Sequence, residues 1–490
     1  MVMLTSCEPT GRTPETVIII SLDTARRDQV SVYGHPLRTT PSLEALADDG
    51  VVFDQAIAVH TNTAPSHASI LTGLYPPAHG SINNGVPIFK GVPTLGEVLS
   101  RHGFATAAFV SGKTLKADVC GLERGFSLYD DRFDGWERRA AATLELTTSW
   151  LKRQNPQQPI FLFFHLFDPH FLYSPPLEFG SFGLDGRPTP PEPLTADKLR
   201  QETRRDNRFW QQNVDEWTRR YDGEIAYADW ALGELMATLK KIGRYSKALI
   251  VVVSDHGETL AERPRVFDHG CRVTEEQIRI PLIVKFPDRS LAGRRVDQQV
   301  SQIDIVPTVL RQYDLPRLTS TPGIDLHRLA QDPSIPERPL FCMARREPGR
   351  LTDLGFEVPG QHRWDGPESM LVAVRLPPHK LVDYAFLDDR DLRRLRNLVN
   401  DPAERKFFKN PEVETRLGGL LDDWWLRNWS GKAPSNAVLS PETTRMLEGL
   451  GYLDPSTEAD DRTEPEEDSA AVFGSGFENG SPSEWSRGPE

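Results

Sequence analysis

The feature that most constrains this chain is a set of short apolar runs, rich in β-branched residues, that break off at polar residues of catalytic type. Val17–Leu22, Thr106–Val110, Ile160–Phe164, Leu249–Val253 and Leu282–Phe286 are continuous rather than alternating, the pattern of strands buried on both faces. Amphipathic helical stretches lie between them, among them Ser42–Asp49, Leu95–His102 and Ile225–Ile242. Such alternation predicts an α/β fold, a large, mostly parallel sheet sandwiched by helices. From about residue 345 the pattern changes. Met370–Val374 and Lys380–Tyr384 read as short strands joined by a Pro-Pro-His turn, with helices at Pro411–Trp425 and Pro441–Gly451. The expected organisation is a flexible leader over 1–14, a catalytic domain over 15–345, a smaller C-terminal α+β subdomain over 346–453, and a disordered acidic tail over 454–490.

Charge and cysteine content narrow the function classes. The formal net charge is −13, but the stretch from Pro455 onward carries ten acidic and two basic residues and so holds eight of those charges. The body is only mildly acidic, which gives no electrostatic case for nucleic acid binding. No run approaches the roughly 20 apolar residues of a membrane span. Cys7, Cys120, Cys271 and Cys342 are far apart and form no CxxC pair, which argues against a disulfide framework or a structural zinc site. Leu4-Thr5-Ser6-Cys7 is similar to the end of a lipoprotein signal. Export to the periplasm or beyond is expected if that start is truncated, and a cytoplasmic location otherwise.

The chemistry gathers where the strands end. Val17–Leu22 ends at Asp23, and Leu249–Val253 runs into Ser254-Asp255-His256-Gly257-Glu258. Ile160–Phe164 ends at His165, with Asp168 and His170 close behind, and Thr106–Val110 leads to Gly112-Lys113. In open α/β sheets ligands sit outside the carboxyl ends of the strands, so these groups are expected to share one rim. The segment Thr61–Gly73 adds a hydroxyl. Pro65 suits an early helical position, which puts Thr63 at or just before the helix cap. There the helix N-terminus favours an anion, and a nearby cation would lower the hydroxyl's pKa.

These residues also carry a resemblance. Ser21-Leu22-Asp23-Thr24-Ala25-Arg26, Thr63-x-Pro-Ser-His67 with Thr72-Gly73, Pro76-x-x-His79-Gly80, Asp222-Gly223-Glu224, Ser254-Asp255-His256-Gly257-Glu258, Ile303-Asp304-Ile305-Val306-Pro307 and the closing Glu448–Leu453 occur in order. Over about residues 16–453 the chain resembles sulfatase-like proteins of the alkaline phosphatase superfamily. The resemblance implies an alkaline phosphatase-like fold and one divalent metal held by Asp23, Thr63, Asp255 and His256. It places Lys113, His170 and His269 where relatives hold the transferred anion or protonate the leaving oxygen, and His67, Asn84 and His165 among the groups that meet substrate. Asn84 is similar to the asparagine that holds a phosphate oxygen in phosphodiesterases; Asn83-Asn84-Gly85 is equally a good turn.

Two departures decide the expected chemistry. Sulfatases carry cysteine, sometimes serine, at the position of Thr63 and convert it to formylglycine, a modification that threonine does not undergo. The sulfatase arginine after Pro-Ser is His67 here, so a fixed cation is lost. Threonine nucleophiles are typical of relatives that act on phosphorus. The expected function is therefore hydrolysis of a sulfate, phosphate or phosphonate ester, of a small molecule or of a glycan or lipid, through Thr63 and a covalent intermediate. The alternatives are transfer of a phosphoryl group to an alcohol, and non-catalytic binding of anionic glycans or lipids. An all-oxygen ligand set would suit calcium, as in most sulfatases; the His256 imidazole favours manganese or zinc. A second metal on Asp168, His170 or His269 stays open at this point.

Overall fold

The computed structural model describes residues 15–180, 207–263, 267–318, 321–345, 370–384, 393–429 and 444. The expected leader, the acidic tail and all but one residue of the expected 441–451 helix lie outside them. The main sheet contains β1 (Thr16–Leu22), β2 (Val51–Ile57), β3 (Ala105–Phe109), β4 (Leu128–Asp130), β5 (Ile160–Leu166), β6 (Ala248–Ser254), β7 (Arg279–Ile280), β8 (Leu282–Lys285) and β9 (Arg294–Ser301). Five parallel strands run in the order β4-β3-β5-β1-β6. β8 then pairs antiparallel to β6, β2 pairs antiparallel to β7 and β8, and β9 pairs parallel to β2.

Period-2 alternation explains why the central strands read as unbroken apolar runs. Val17, Ile19, Phe161, Phe163, Leu249 and Val251 point into one helical layer. Ile18, Ile20, Leu22, Leu162, Phe164, Ile250 and Val252 point into the other. A sheet covered on both faces leaves no polar side to such strands. The register then fixes the functional rim: Leu22 lies opposite both Leu166 and Ser254. β1, β5 and β6 end level, and the residues just past them emerge at one height.

A second, antiparallel sheet consists of β10 (Leu340–Arg345), β11 (Met370–Leu376), β12 (His379–Asp383) and β13 (Arg393–Asn397). It begins at Leu340, six residues ahead of the expected boundary at 346. The helix Pro411–Asn428 packs Leu417, Leu421 and Trp424 against Val372, Val374 and Leu381, in a core shared with Val59, Tyr75 and Ile303 of the main body. Among the described residues, no helix is long and apolar enough to cross a membrane.

Backbone hydrogen bonds and a buried ion cluster tie the small sheet to the rim. Thr61 N–H donates to Met343 O (3.2 Å), Met343 N–H to Val59 O (2.8 Å) and Arg345 N–H to Gly270 O (2.9 Å). Lys380, fully buried on β12, donates to Val273 O (2.7 Å) and pairs with Glu275 (3.1 Å) and Glu404 (2.7 Å). Arg375 on β11 adds a second contact to Glu275 (3.0 Å).

Candidate active site

Asp23 is the first residue past β1, and its backbone N–H is held by Leu166 O at 2.9 Å. One carboxylate oxygen, Oδ2, meets His165 Nε2 at 3.1 Å. Asp255 follows β6. Its Oδ1 accepts from the backbone N–H groups of Thr24 (2.9 Å) and His256 (2.8 Å), which fixes the plane of the carboxylate. His256 donates from Nδ1 to Gly257 O (3.0 Å), so Nε2 carries the lone pair. Asp23, Asp255 and His256 can bring one ligand atom each within 4.8 Å of one another. Thr63 is the first residue of the helix Thr63–Thr72, after an extended Asn62.

Four atoms stand out in this shell. Asp23 Oδ1, Asp255 Oδ2 and His256 Nε2 of the cluster are buried and make no hydrogen bond among the described residues, and neither does Thr63 Oγ1, whose residue reaches the cluster through His67 Nδ1, 2.8 Å from Thr63 O and 3.8 Å from Asp255 Oδ2. Buried polar groups in folded proteins are mostly paired, and what marks these atoms among the other unpaired ones here, such as His60 Nε2 and Asp168 Oδ2, is their chemistry. Their identity, two carboxylate oxygens, an imidazole nitrogen and a hydroxyl, is that of a divalent-cation ligand set. The electrostatics agree: burial first, and then the Asp255 charge, push the Asp23 carboxyl well above the usual range. Two carboxylates this close cannot both stay ionised without a cation between them.

The remaining expected residues divide into three groups. Lys113 is buried at the start of the turn Lys113–Leu115, which packs against the Thr63 helix, and its N–H donates to Trp136 O (2.9 Å). His170, His269 and His256 form a row, with ring centroids 4.8 Å and 4.7 Å apart. His269 Nδ1 donates to the Glu258 carboxylate (3.2 Å). Burial lowers the basicity of His269, but Glu258 outweighs it and the net shift is upward. His170 Nδ1 donates to Phe171 O (2.6 Å), and burial followed by His269 hold it well below the usual histidine range.

His67 and His165 turn both ring nitrogens to protein partners, whereas Asn84 commits only one of its two amide atoms. His67 is fully buried, with Nδ1 donating to Thr63 O (2.8 Å) and Nε2 accepting from Ser21 Oγ (2.8 Å). Both ring nitrogens are committed inside the protein, so His67 braces the start of the Thr63–Thr72 helix. His165 Nδ1 accepts from Ser111 N–H (3.2 Å), which leaves its Nε2 proton for Asp23. Asn84 Oδ1 accepts from Ala64 N–H (2.8 Å), while its buried Nδ2 has no partner. The helix terminus therefore offers few open N–H groups: Ala64 N–H is held by Asn84 Oδ1, Pro65 has none and Ser66 N–H donates to Asn62 O (3.3 Å), while Asn84 Nδ2 is a donor without a partner among the described residues.

Asp168 does not join the metal-ligand shell. It pairs with Arg139 (3.2 Å) and caps Ala140 N–H (3.1 Å). Among the described residues, the groups able to hold a metal are Asp23-Asp255-His256 and Asp23-His67-His165; neither contains Asp168, His170 or His269. The second grouping consists of groups already bonded to one another or to Ser21 and Ser111. The Asp222-Gly-Glu224 and Asp304 landmarks are structural: Asp222 faces His35 (3.4 Å), Glu224 pairs with Arg139 (2.8 Å), and Asp304 accepts from Ser301 and Ile324 N–H (both 2.8 Å). Sequence reasoning missed Ser21, Glu258 and Gln302. Gln302 donates to Ser254 O and Asp255 O (2.9 and 2.6 Å) and accepts from Val59 N–H (2.9 Å), which locks the end of β6 to the segment leading into Thr63. Ser21 and Glu258 both lie inside the Ser-Leu-Asp and Asp-His-Gly-Glu motifs and so gave a signal, whereas Gln302 gave none.

Known proteins agree with this architecture. The Sulfatase family model matches residues 15–315. The arylsulfatase of Clostridium perfringens is 23% identical over 382 residues, covering 64% of this chain and 78% of its own. Two solved structures share the fold. BT4656, solved with its substrate D-glucosamine-2-N,6-O-disulfate, has a TM-score of 0.68 at 18% identity and covers 86% of this chain and 99% of its own. The phosphonate monoester hydrolase of Agrobacterium radiobacter has a TM-score of 0.65 at 19% identity, with 85% and 95% covered. A match over most of the main sheet, with the strand-end acids and histidines in family order, means that this chain belongs to the sulfatase family and is an ester-bond hydrolase.

Proposed function

We propose that this protein is a divalent-metal-dependent hydrolase that cleaves phosphate diesters or phosphonate monoesters in preference to sulfate esters, with unmodified Thr63 as nucleophile. The observation that carries the reading is the set of four buried, unpartnered atoms on Asp23, Asp255, His256 and Thr63. Those residues would hold a manganese or zinc ion, which when bound supplies positive charge that lowers the Thr63 hydroxyl pKa and offsets charge on the reacting group.

The chain's own groups account for the rest. Thr63, its hydroxyl proton lost to solvent, attacks phosphorus in line; the Oγ–P bond forms as the bond to the leaving oxygen breaks. Asn84 Nδ2 and Lys113 meet the non-bridging oxygens, where negative charge builds up. His269 gives its Nε2 proton to the leaving oxygen. It is preferred to His170 because the Glu258 carboxylate behind it balances an imidazolium, whereas burial and the neighbouring His269 hold His170 well below the usual histidine range. Water then attacks phosphorus, Thr63 Oγ departs, and the water's proton returns to His269. A phosphorus preference follows from the nucleophile. A threonine ester must be cleaved at its sulfur or phosphorus, whereas a formylglycine hydrate expels sulfate from its own carbon.

The test is a panel of aryl sulfate, phosphate monoester, phosphodiester and phosphonate ester, run with calcium, manganese and zinc in turn. The expected result is strongest turnover of the phosphodiester or phosphonate with manganese or zinc. Efficient sulfate ester turnover with phosphorus esters inert would overturn the preference.

A further inference from the structure

Asn62, the residue immediately before the nucleophile, has no part in the account so far. It occupies the cap position of the Thr63–Thr72 helix, yet its side chain caps nothing. Its orientation is fixed by a chain of unambiguous donors. Asn84 N–H donates to Asn83 Oδ1 (2.9 Å), so that atom is an oxygen. The Asn62 atom facing Asn83 Oδ1 at 2.7 Å must then be the amide nitrogen, Nδ2. The carbonyl oxygen of Asn62 therefore points the other way. Oδ1 has no hydrogen-bond partner among the described residues, although the residue is only 2% exposed.

The other side is the segment that carries His269. Asn62 Oδ1 packs against Gly270, where an added Cβ would sit 2.2 Å from it. An acceptor with no hydrogen-bond donor among the described residues thus lies against Gly270, the neighbour of His269; by the roles proposed for Thr63 and His269, that is the leaving-group side. Two neighbouring atoms are fixed by the same logic with opposite polarity: Asn84 Oδ1 is held by Ala64 N–H, which leaves the donor Nδ2. An amide donor suits the anionic oxygens of the ester. An amide acceptor repels them and needs a hydroxyl or amino group.

We infer that Asn62 Oδ1 is a specificity-determining acceptor for a hydrogen-bond donor on the leaving-group side, so that preferred substrates are esters of alcohols bearing a neighbouring hydroxyl or amino group. This rests on the proposed function of Thr63 and His269. A buried acceptor left unpaired costs more than the hydrogen bond it forgoes, and for that reason such a group discriminates strongly against a ligand lacking the donor.

Two substrates separate the possibilities: phenyl phenylphosphonate and its 2-hydroxyphenyl counterpart, which differ by one hydroxyl beside the leaving oxygen. The wild-type enzyme is expected to favour the hydroxylated ester. Asn62→Ala should lower kcat/KM for that ester about tenfold and leave the phenyl ester nearly unchanged. Asn62→Asp, which keeps an oxygen acceptor, should retain the preference whatever its absolute rate, so the ratio stays readable if the alanine variant folds poorly. Equal losses on both esters in Asn62→Ala, or a preference absent from wild type and Asn62→Asp, would overturn the inference. Inactivity of the wild-type enzyme toward both esters with every metal would overturn the reading of the site itself, a separate outcome.

Discussion

Asp255 illustrates how one side chain serves both the fold and the chemistry. Oδ1 is tied to two backbone N–H groups, and Oδ2, 3.3 Å from His256 Nε2, makes no hydrogen bond among the described residues, which leaves it for the proposed cation. Asp255→Ala is therefore predicted to remove bound metal and turnover together, since the remaining ligands carry too little charge. Metal analysis of the purified variant decides it; full occupancy would contradict the ligand assignment. The positions of Asp23, Asp255 and His256 just past strands and of Thr63 at a helix start were legible in the sequence, whereas the idea that they share a metal came from the family resemblance. His67 was not, because its position in the motif gives no sign that its ring turns inward to Ser21 and the Thr63 carbonyl. Asn84 was legible only in part: the sequence offered a turn residue or a substrate contact, and the folded chain uses its two amide atoms separately.

At the scale of elements, the small sheet acts as a splint for the catalytic rim. β10 is hydrogen-bonded to the segment leading into Thr63 and to Gly270 beside His269. Lys380 holds Val273 and Glu275 just beyond. Lys380→Met leaves Glu275 and Glu404 buried with one cation fewer, which is predicted to cost about 3 kcal/mol of stability, read from the urea midpoint. A change within about 0.5 kcal/mol would show that the cluster contributes little. Burial works against the charge of Glu275, but Lys380 and Arg375 hold its pKa down at about 2. Its folded-state value lies below the ordinary one. Its contribution is therefore complete above about pH 4.5 and is lost as pH falls toward about 2. Glu404, raised by burial despite Lys380, contributes in the opposite sense. Glu275→Gln should accordingly flatten the acid side of the stability profile; an unchanged profile would refute the linkage. The central strands could be read from the chain because a doubly covered sheet imposes apolar runs. β9, with the sequence Arg-Arg-Val-Asp-Gln-Gln-Val-Ser, lacks such a run. β10 leaves no mark of which sheet it joins, because its apolar residues suit either.

The described body combines a large sheet that sets the proposed metal-ligand group with a smaller one that is hydrogen-bonded to the segments around it. The stretch from Pro455 to Glu490 is acidic and rich in Ser, Gly and Pro, a composition unable to bury much surface. Its deletion is predicted to leave melting temperature and specific activity unchanged, and a drop of several degrees would show that it docks. The central claim concerns Thr63, and the most direct measurement is the activity of Thr63→Ser and Thr63→Ala against a phosphonate ester, with intact mass of the wild-type Thr63 peptide recorded alongside. The account predicts an unmodified threonine, substantial activity in Thr63→Ser, where the hydroxyl survives, and loss of nearly all activity in Thr63→Ala. Activity in Thr63→Ala comparable with wild type would contradict it.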